Sequence, residues 1–282
     1  MFNQSVIDLI KTRSSWRSYT SKSLEQTVHN KILEYLSKQH TGPLKSKVRF
    51  HLITKDAATI IDNSRLHTYG FIKNARNFIV GAVEISDSHW IDYGYLLEKI
   101  ILRMTDLGLG TCWLGGTFSR SEFADSIKVR KNEVIPAVTP LGFVTRNRSL
   151  RDLIIRWGAK SRNRLSRNKL FFSENFGEHL SYNSISKYET ALEMIRLGPS
   201  ASNRQPWRVV KIGNDYHFFL QRTTKYALIA KEVDLQLVDM GISMCHFELT
   251  AKELGLTGCW VRDDPKIPVP DLAEYIITWI PG

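Results

Sequence analysis

The feature that most constrains this chain is a partial copy of itself. Residues 92–113 read DYGYLLEKIILRMTDLGLGTCW and residues 239–260 read DMGISMCHFELTAKELGLTGCW, aligned without a gap at an offset of 147. Asp92/Asp239, Gly94/Gly241, Leu102/Leu249, Leu107/Leu254, Gly108/Gly255, Leu109/Leu256, Cys112/Cys259 and Trp113/Trp260 are identical, eight matches in 22 positions. Matching at that density, with a shared ending L-G-L-x-x-C-W, marks a tandem duplication, so the chain holds two copies of one α/β unit.

Each copy reads the same way locally. Apolar residues run almost all round residues 96–107, as in a helix buried on most faces. Gly108 and Gly255 then fall just past the helix, where positive φ favours glycine. The following L-x-x-C-W reads as a short strand, with Trp113 and Trp260 as core residues and Cys112 and Cys259 as packing residues. The repeat extends upstream more weakly. Helix-like residues 28–37 and 188–197 lead through Gly42-Pro43 and Gly198-Pro199 into apolar strands at 48–53 and 207–212. The first copy is three residues shorter in that loop. Strands at 134–144 and 273–280 complete the two units. The expected division is 1–150, a linker at 151–185, and 186–282.

The net charge is +11, and much of it lies in residues 146–169, where nine Arg and Lys face only Asp152. Such a run is either a solvated linker face or an anion site for a cofactor phosphate, an acidic substrate or nucleic acid. Its one aromatic is Trp157 and it has no recognisable nucleic-acid module, which argues against the last. Three widely spaced cysteines and eight histidines without metal-ligand spacing argue against a disulfide framework or a metal centre. No run of about 18 apolar residues and no signal-peptide core is visible, so a cytoplasmic protein with no membrane span is expected.

Three segments carry chemistry. The first is Arg13-Ser14-Ser15-Trp16-Arg17, after a helix at residues 6–12: two guanidiniums and several hydroxyls suit a phosphate, although such a run also fits a solvated turn. The second is Gly198-Pro199-Ser200-Ala201-Ser202-Asn203-Arg204-Gln205-Pro206-Trp207. Its small residues let backbone approach a planar ligand, and two prolines pin the loop. A polar helix-to-strand turn is the plainer reading. The third is Trp113-Leu114-Gly115-Gly116, whose glycines expose backbone N–H groups at a strand end.

Together these segments resemble the nitroreductase superfamily of FMN-dependent oxidoreductases: R-S-S-x-R near the start, Y-G before a strand, L-G-L-x-x-C-W-L-G-G, and P-S-A-S-N-R-Q-P-W. The last lies in the second copy, after the L-G-L helix, whereas a conventional member has it before that helix. The order is similar to a tandem-fused subgroup in which one chain mimics the usual homodimer. The resemblance implies an α+β, nitroreductase-like fold in which the two units form an intramolecular pseudo-dimer. It also implies an FMN in the seam. Arg13, Ser14, Ser15 and Arg17 would hold the phosphate and ribityl chain, joined by Arg167 and, as a weaker candidate, Arg164. Gly115 and Gly116 would lie near flavin N5, with Tyr69 and Gly70 adjacent. Pro199, Ser200, Ala201, Ser202 and Asn203 would cover the ring, supported by Gln205.

The two copies depart from the pattern in opposite ways. Copy one has Leu44-Lys45-Ser46-Lys47 where the S-A-S-N loop belongs. Copy two has Asn183-Ser184-Ile185-Ser186-Lys187 where R-S-S-x-R belongs, and no counterpart of Arg167 before Gly282. Each keeps the half-site that the other has lost, which predicts one flavin per chain and a monomer. The implied reaction is hydride transfer from NAD(P)H through flavin N5 to a nitroaromatic, quinone or similar small-molecule acceptor, with no side-chain acid or base. The alternative is a flavin-binding protein for storage or sensing, without turnover.

Overall fold

In the computed structural model, described here for residues 2–55, 68–144, 163–181, 187–223 and 232–282, the duplication becomes two sheets on either side of a pair of crossed helices. The first half runs α1 (Val6–Thr12), α2 (Gln26–Ser37), β1 (Val48–Thr54), β2 (Asn77–Glu84), α3 (His89–Asp106), β3 (Gly110–Thr111), α4 (Arg120–Ile127), β4 (Glu133–Val134) and β5 (Val138–Gly142). Its sheet has the order β1-β2-β5-β3, with β4 paired to β2, and every pairing is antiparallel. The chain then crosses to the second half through a 3-10 turn (Arg167–Lys169), β6 (Phe171–Ser173) and β7 (Asn175–His179). Next come α5 (Glu189–Leu197), β8 (Trp207–Ile212), β9 (Asp215–Gln221), α6 (Leu235–Glu253), β10 (Gly258–Val261) and β11 (Ala273–Pro281). The second sheet has the order β10-β11-β9-β8-β6-β7.

α3 and α6 are the repeated helices, and they cross at their shared glycine. A Cβ on Gly94 would lie 2.0 Å from the Val238 carbonyl oxygen, and one on Gly241 would lie 1.9 Å from that of Ile91. Ile91 and Val238 are themselves one repeat apart. The contact is therefore its own mirror: each helix presents a glycine to the same carbonyl of the other, as a two-fold dimer interface does. The backbones come this close only because neither glycine has a side chain. One core runs through the crossing, from Ile79 and Val83 of the first sheet through Leu97, Ile101, Met240, Met244 and Phe247 to Phe218 and Trp279 of the second.

Gly108 and Gly255 end α3 and α6 at φ +74° and +72°, as expected. The strand expected at L-x-x-C-W differs between copies. β10 spans Cys259 and Trp260, but β3 stops before Cys112, whose N–H donates to the Thr139 hydroxyl (3.1 Å) rather than to a ladder carbonyl. The cysteines differ for a related reason. Phe118, just before α4, and Phe123 and Ile127 of α4 pack in one cluster with Cys112. Residues 262–272 form no helix, so Cys259 is exposed and the expectation of packing holds only for the first copy. Within the segment expected to be a linker, β6 and β7 belong to the second sheet, β6 running parallel to β8. Residues 146–162 of the basic run, and residues 183–186 at the counterpart of R-S-S-x-R, lie outside the described residues.

Candidate flavin site at the seam

The R-S-S-x-R segment leaves α1 and lies along the edge of the first sheet. Trp16 N–H donates to the Thr111 carbonyl (2.8 Å), Ser15 bridges to Thr111, and Arg17 accepts from Lys73 N–H (2.8 Å). The segment therefore runs beside β3, a few residues upstream of Gly115 and Gly116. At Gly115, a Cβ would meet Leu235 at the start of α6 at 2.7 Å, while one on Gly116 would meet nothing within 4 Å. Arg120 of α4 donates to the Gly115 carbonyl (2.5 Å) and spans to Ile135 O and Pro136 O at 3.3 Å, fixing this turn. Tyr69 and Gly70 form a turn at positive φ, with Tyr69 exposed.

The second half supplies the loop at 199–205. Asp239 at the start of the repeat accepts from Ala201 N–H with both oxygens (3.0 and 3.1 Å). Burial pushes this carboxyl well above its ordinary range, opposed by that N–H. Ser202, Asn203 and Gln205 all adopt φ between +50° and +54°, a conformation costly for residues with a Cβ and retained mainly where the surroundings enforce it. Here the enforcement comes from residues 163–165. Arg164 donates to Asn203 Oδ1 (2.6 Å), Asn203 Nδ2 to Asn163 O (2.7 Å), and Leu165 N–H to Gln205 Oε1 (2.8 Å). Gln205 N–H also donates to the Ser200 hydroxyl (2.8 Å). Gln205 thus ties the loop to residues 163–165 and to Ser200. Arg164 also faces it, donating to Leu197 O (3.0 Å). Arg167 sits over the Phe171 ring with Nη1 3.8 Å from Glu193, beside a cavity of about 550 Å³ that it lines with Lys11, Ser166 and Arg196.

Between the two half-sites runs a buried chain of charge that the sequence reading did not single out. Glu98 of α3 and His246 of α6, both fully buried, are hydrogen-bonded through Oε1 and Nε2 at 2.9 Å. Trp113 Nε1 donates to Glu98 Oε2 (2.6 Å), and Arg13 Nε lies 3.6 Å from Oε1. His246 Nδ1 faces the Met194 carbonyl of α5 at 2.9 Å. Burial raises the Glu98 carboxyl, but the His246 hydrogen bond and the Arg13 charge outweigh it and hold it below its ordinary value of 4.5. Arg13 is 7% exposed, and its Nε and Nη1 are buried without a hydrogen-bond partner among the described residues. A buried guanidinium with orphaned donors is costly unless an anion completes it, so this place fits a phosphate group.

Comparison with known proteins decides the lineage. Residues 5–251 match the model of a family described as "Putative TM nitroreductase". The chain belongs to this nitroreductase family. The fold of a solved nitroreductase family structure from Thermotoga maritima, described as "putative", covers 99% of this chain and 95% of that one, with a TM-score of 0.62 at 19% identity. A curated relative from Methanothermobacter thermautotrophicus, "Putative NADH dehydrogenase/NAD(P)H nitroreductase", is 28% identical over 160 residues. That match takes in 52% of this chain and 82% of the relative, so a shorter nitroreductase relative aligns with about half of this one. The nitroreductase fold here is α+β, built from two tandem units that form an intramolecular pseudo-dimer. Among the described residues no helix is long and apolar enough to cross a membrane.

Proposed function

We propose that this chain is an FMN-dependent NAD(P)H oxidoreductase holding one FMN in the seam of its pseudo-dimer. The observation that carries the reading is Arg13, a buried cation with orphaned donors at the place where the resemblance puts the cofactor phosphate. The bound flavin would supply hydride chemistry at N5, taking electrons from NAD(P)H and passing them to a nitroaromatic, quinone or similar acceptor. The chain's own residues bind and orient. Arg13, Ser14, Ser15 and Arg17 take the phosphate and ribityl chain, with Arg167 as a further cation at that end. Gly115 and Gly116 offer backbone N–H groups to the ring edge, beside Tyr69 and Gly70, where developing negative charge is stabilised. Residues 199–203 cover the ring, and Arg164 and Gln205 hold that loop in shape.

The nicotinamide donor is suggested by the name of the Methanothermobacter relative. The division into 1–150, a crossing segment at 151–185 and 186–282, and a monomeric state, belong to the same proposal, because the chain already contains the interface that two copies would otherwise build. The test is anaerobic addition of NADH or NADPH to the FMN-loaded chain. Bleaching of the flavin band, reversed by a quinone or nitroaromatic, is expected. A chain that binds flavin but never reduces it would instead be a storage or sensing protein. One that binds no flavin would sink both readings.

A further inference from the structure

The buried chain across the seam has a charge imbalance. The Met194 carbonyl can only accept, so His246 carries a proton on Nδ1. One further proton lies on the 2.9 Å line between His246 Nε2 and Glu98 Oε1. Glu98 also accepts from Trp113 and faces Arg13, and both favour its ionised form, which places that proton on the imidazole. The cluster then holds two cations, Arg13 and His246, against one carboxylate. His246 is the nearer partner, hydrogen-bonded to Glu98, while Arg13 stands at 3.6 Å with no hydrogen bond to it and its donors unspent.

We propose that His246 is a positioning residue for the cofactor phosphate: by hydrogen-bonding Glu98 from the second half, it holds Arg13 of the first half to a 3.6 Å ion pair without a hydrogen bond to that carboxylate and leaves the Nε and Nη1 donors of Arg13 for the anion. The inference rests on the flavin reading above and adds a long-range dependence that neither half-site shows alone. It ties phosphate affinity to a residue of α6 that meets Arg13 only through Glu98. Without the imidazolium, Arg13 is left as the cation that faces Glu98, and the guanidinium closes onto it.

The test compares FMN with riboflavin, which lacks the phosphate, by titration against flavin fluorescence. In His246→Gln, which keeps a donor but loses the charge, FMN binding should weaken about tenfold or more while riboflavin binding stays the same. In Glu98→Gln the preference for FMN over riboflavin should persist or rise, since the competing carboxylate is gone. In the double variant Glu98→Gln/His246→Gln the preference should return. An ordinary structural role for the pair predicts the opposite order, with the double variant worse than either single one. If His246→Gln does not fold, as judged by circular dichroism, Glu98→Gln alone decides, because loss of the FMN preference there overturns the inference. An unchanged preference in a folded His246→Gln also overturns it. Wild-type protein that binds neither flavin overturns instead the functional reading beneath it.

Discussion

The pseudo-two-fold axis gives the molecule two seams built from the same parts, and they have been finished differently. On one side Gly115 packs against Leu235 at the start of α6, with open space beyond Gly116. One repeat later, Arg262 stands where Gly115 would be and Asp263 where Gly116 would be. Arg262 donates across the seam to the hydroxyl of Ser88, which stands at the N-cap position of α3. The loops diverge in the same sense. Residues 199–205 are held by hydrogen bonds to residues 163–165. The shorter loop of the first half closes on itself: Lys45 N–H donates to Gly42 O (3.0 Å), Gly42 N–H to Ser46 O (3.1 Å), and Asp92 takes Leu44 N–H and Ser46 N–H at 2.8 Å each. A cavity of about 550 Å³ remains there, lined by Lys45, Ser46, Ser86, Trp260 and Arg262, with a charged side chain where the retained seam has a glycine. Duplication thus preserved the crossing, which both halves need for their shared core, and let one of the two surface seams drift.

The largest effect is expected at the part that stayed symmetric. Alanine is the better helix former by about 1 kcal/mol, so Gly94→Ala and Gly241→Ala would each be stabilising if propensity ruled. The approach of 2.0 and 1.9 Å to carbonyl oxygens reverses that. Each variant should lose about 2–3 kcal/mol in urea unfolding, and by similar amounts. Unequal losses would mean that the crossing is not a true internal two-fold. At the seams themselves the response should be one-sided. Gly115→Leu, driven into Leu235, should weaken FMN binding about tenfold or more, whereas Arg262→Gly should leave flavin content unchanged.

Much of this organisation was legible in the sequence, because a repeat converts one local reading into two. The helix ending at Gly108 or Gly255 and the strand Trp207–Ile212 needed only local signals. What stayed hidden depended on distant partners. β6 is an apolar triplet whose meaning comes from the parallel neighbour β8. Glu98 and His246 are 148 residues apart and become a pair only when α3 and α6 cross. A signal existed, since each is a polar residue in a helix segment whose other residues are mostly apolar, but it does not name its partner. Arg120 carried no such signal; only the fold brings it to the Gly115 carbonyl.

The smallest expected difference concerns the two repeated aspartates. Asp92 uses separate oxygens for two N–H donors, so Asp92→Asn must turn its amide toward one of them and should cost about 1–3 kcal/mol. Asp239 offers both oxygens to the single N–H of Ala201, and burial already favours its neutral form. Asp239→Asn keeps that acceptor and should change stability at neutral pH by less than about 1 kcal/mol. Thermal unfolding of the two variants side by side checks the ranking.

The asymmetry of the seams stands or falls on a count. The purified chain, saturated with FMN and freed of excess by gel filtration, gives a flavin-to-chain ratio from its visible and ultraviolet absorbance. A ratio close to one is predicted. A ratio near two would mean that the seam carrying Arg262 still binds, and a colourless chain would mean that neither seam does.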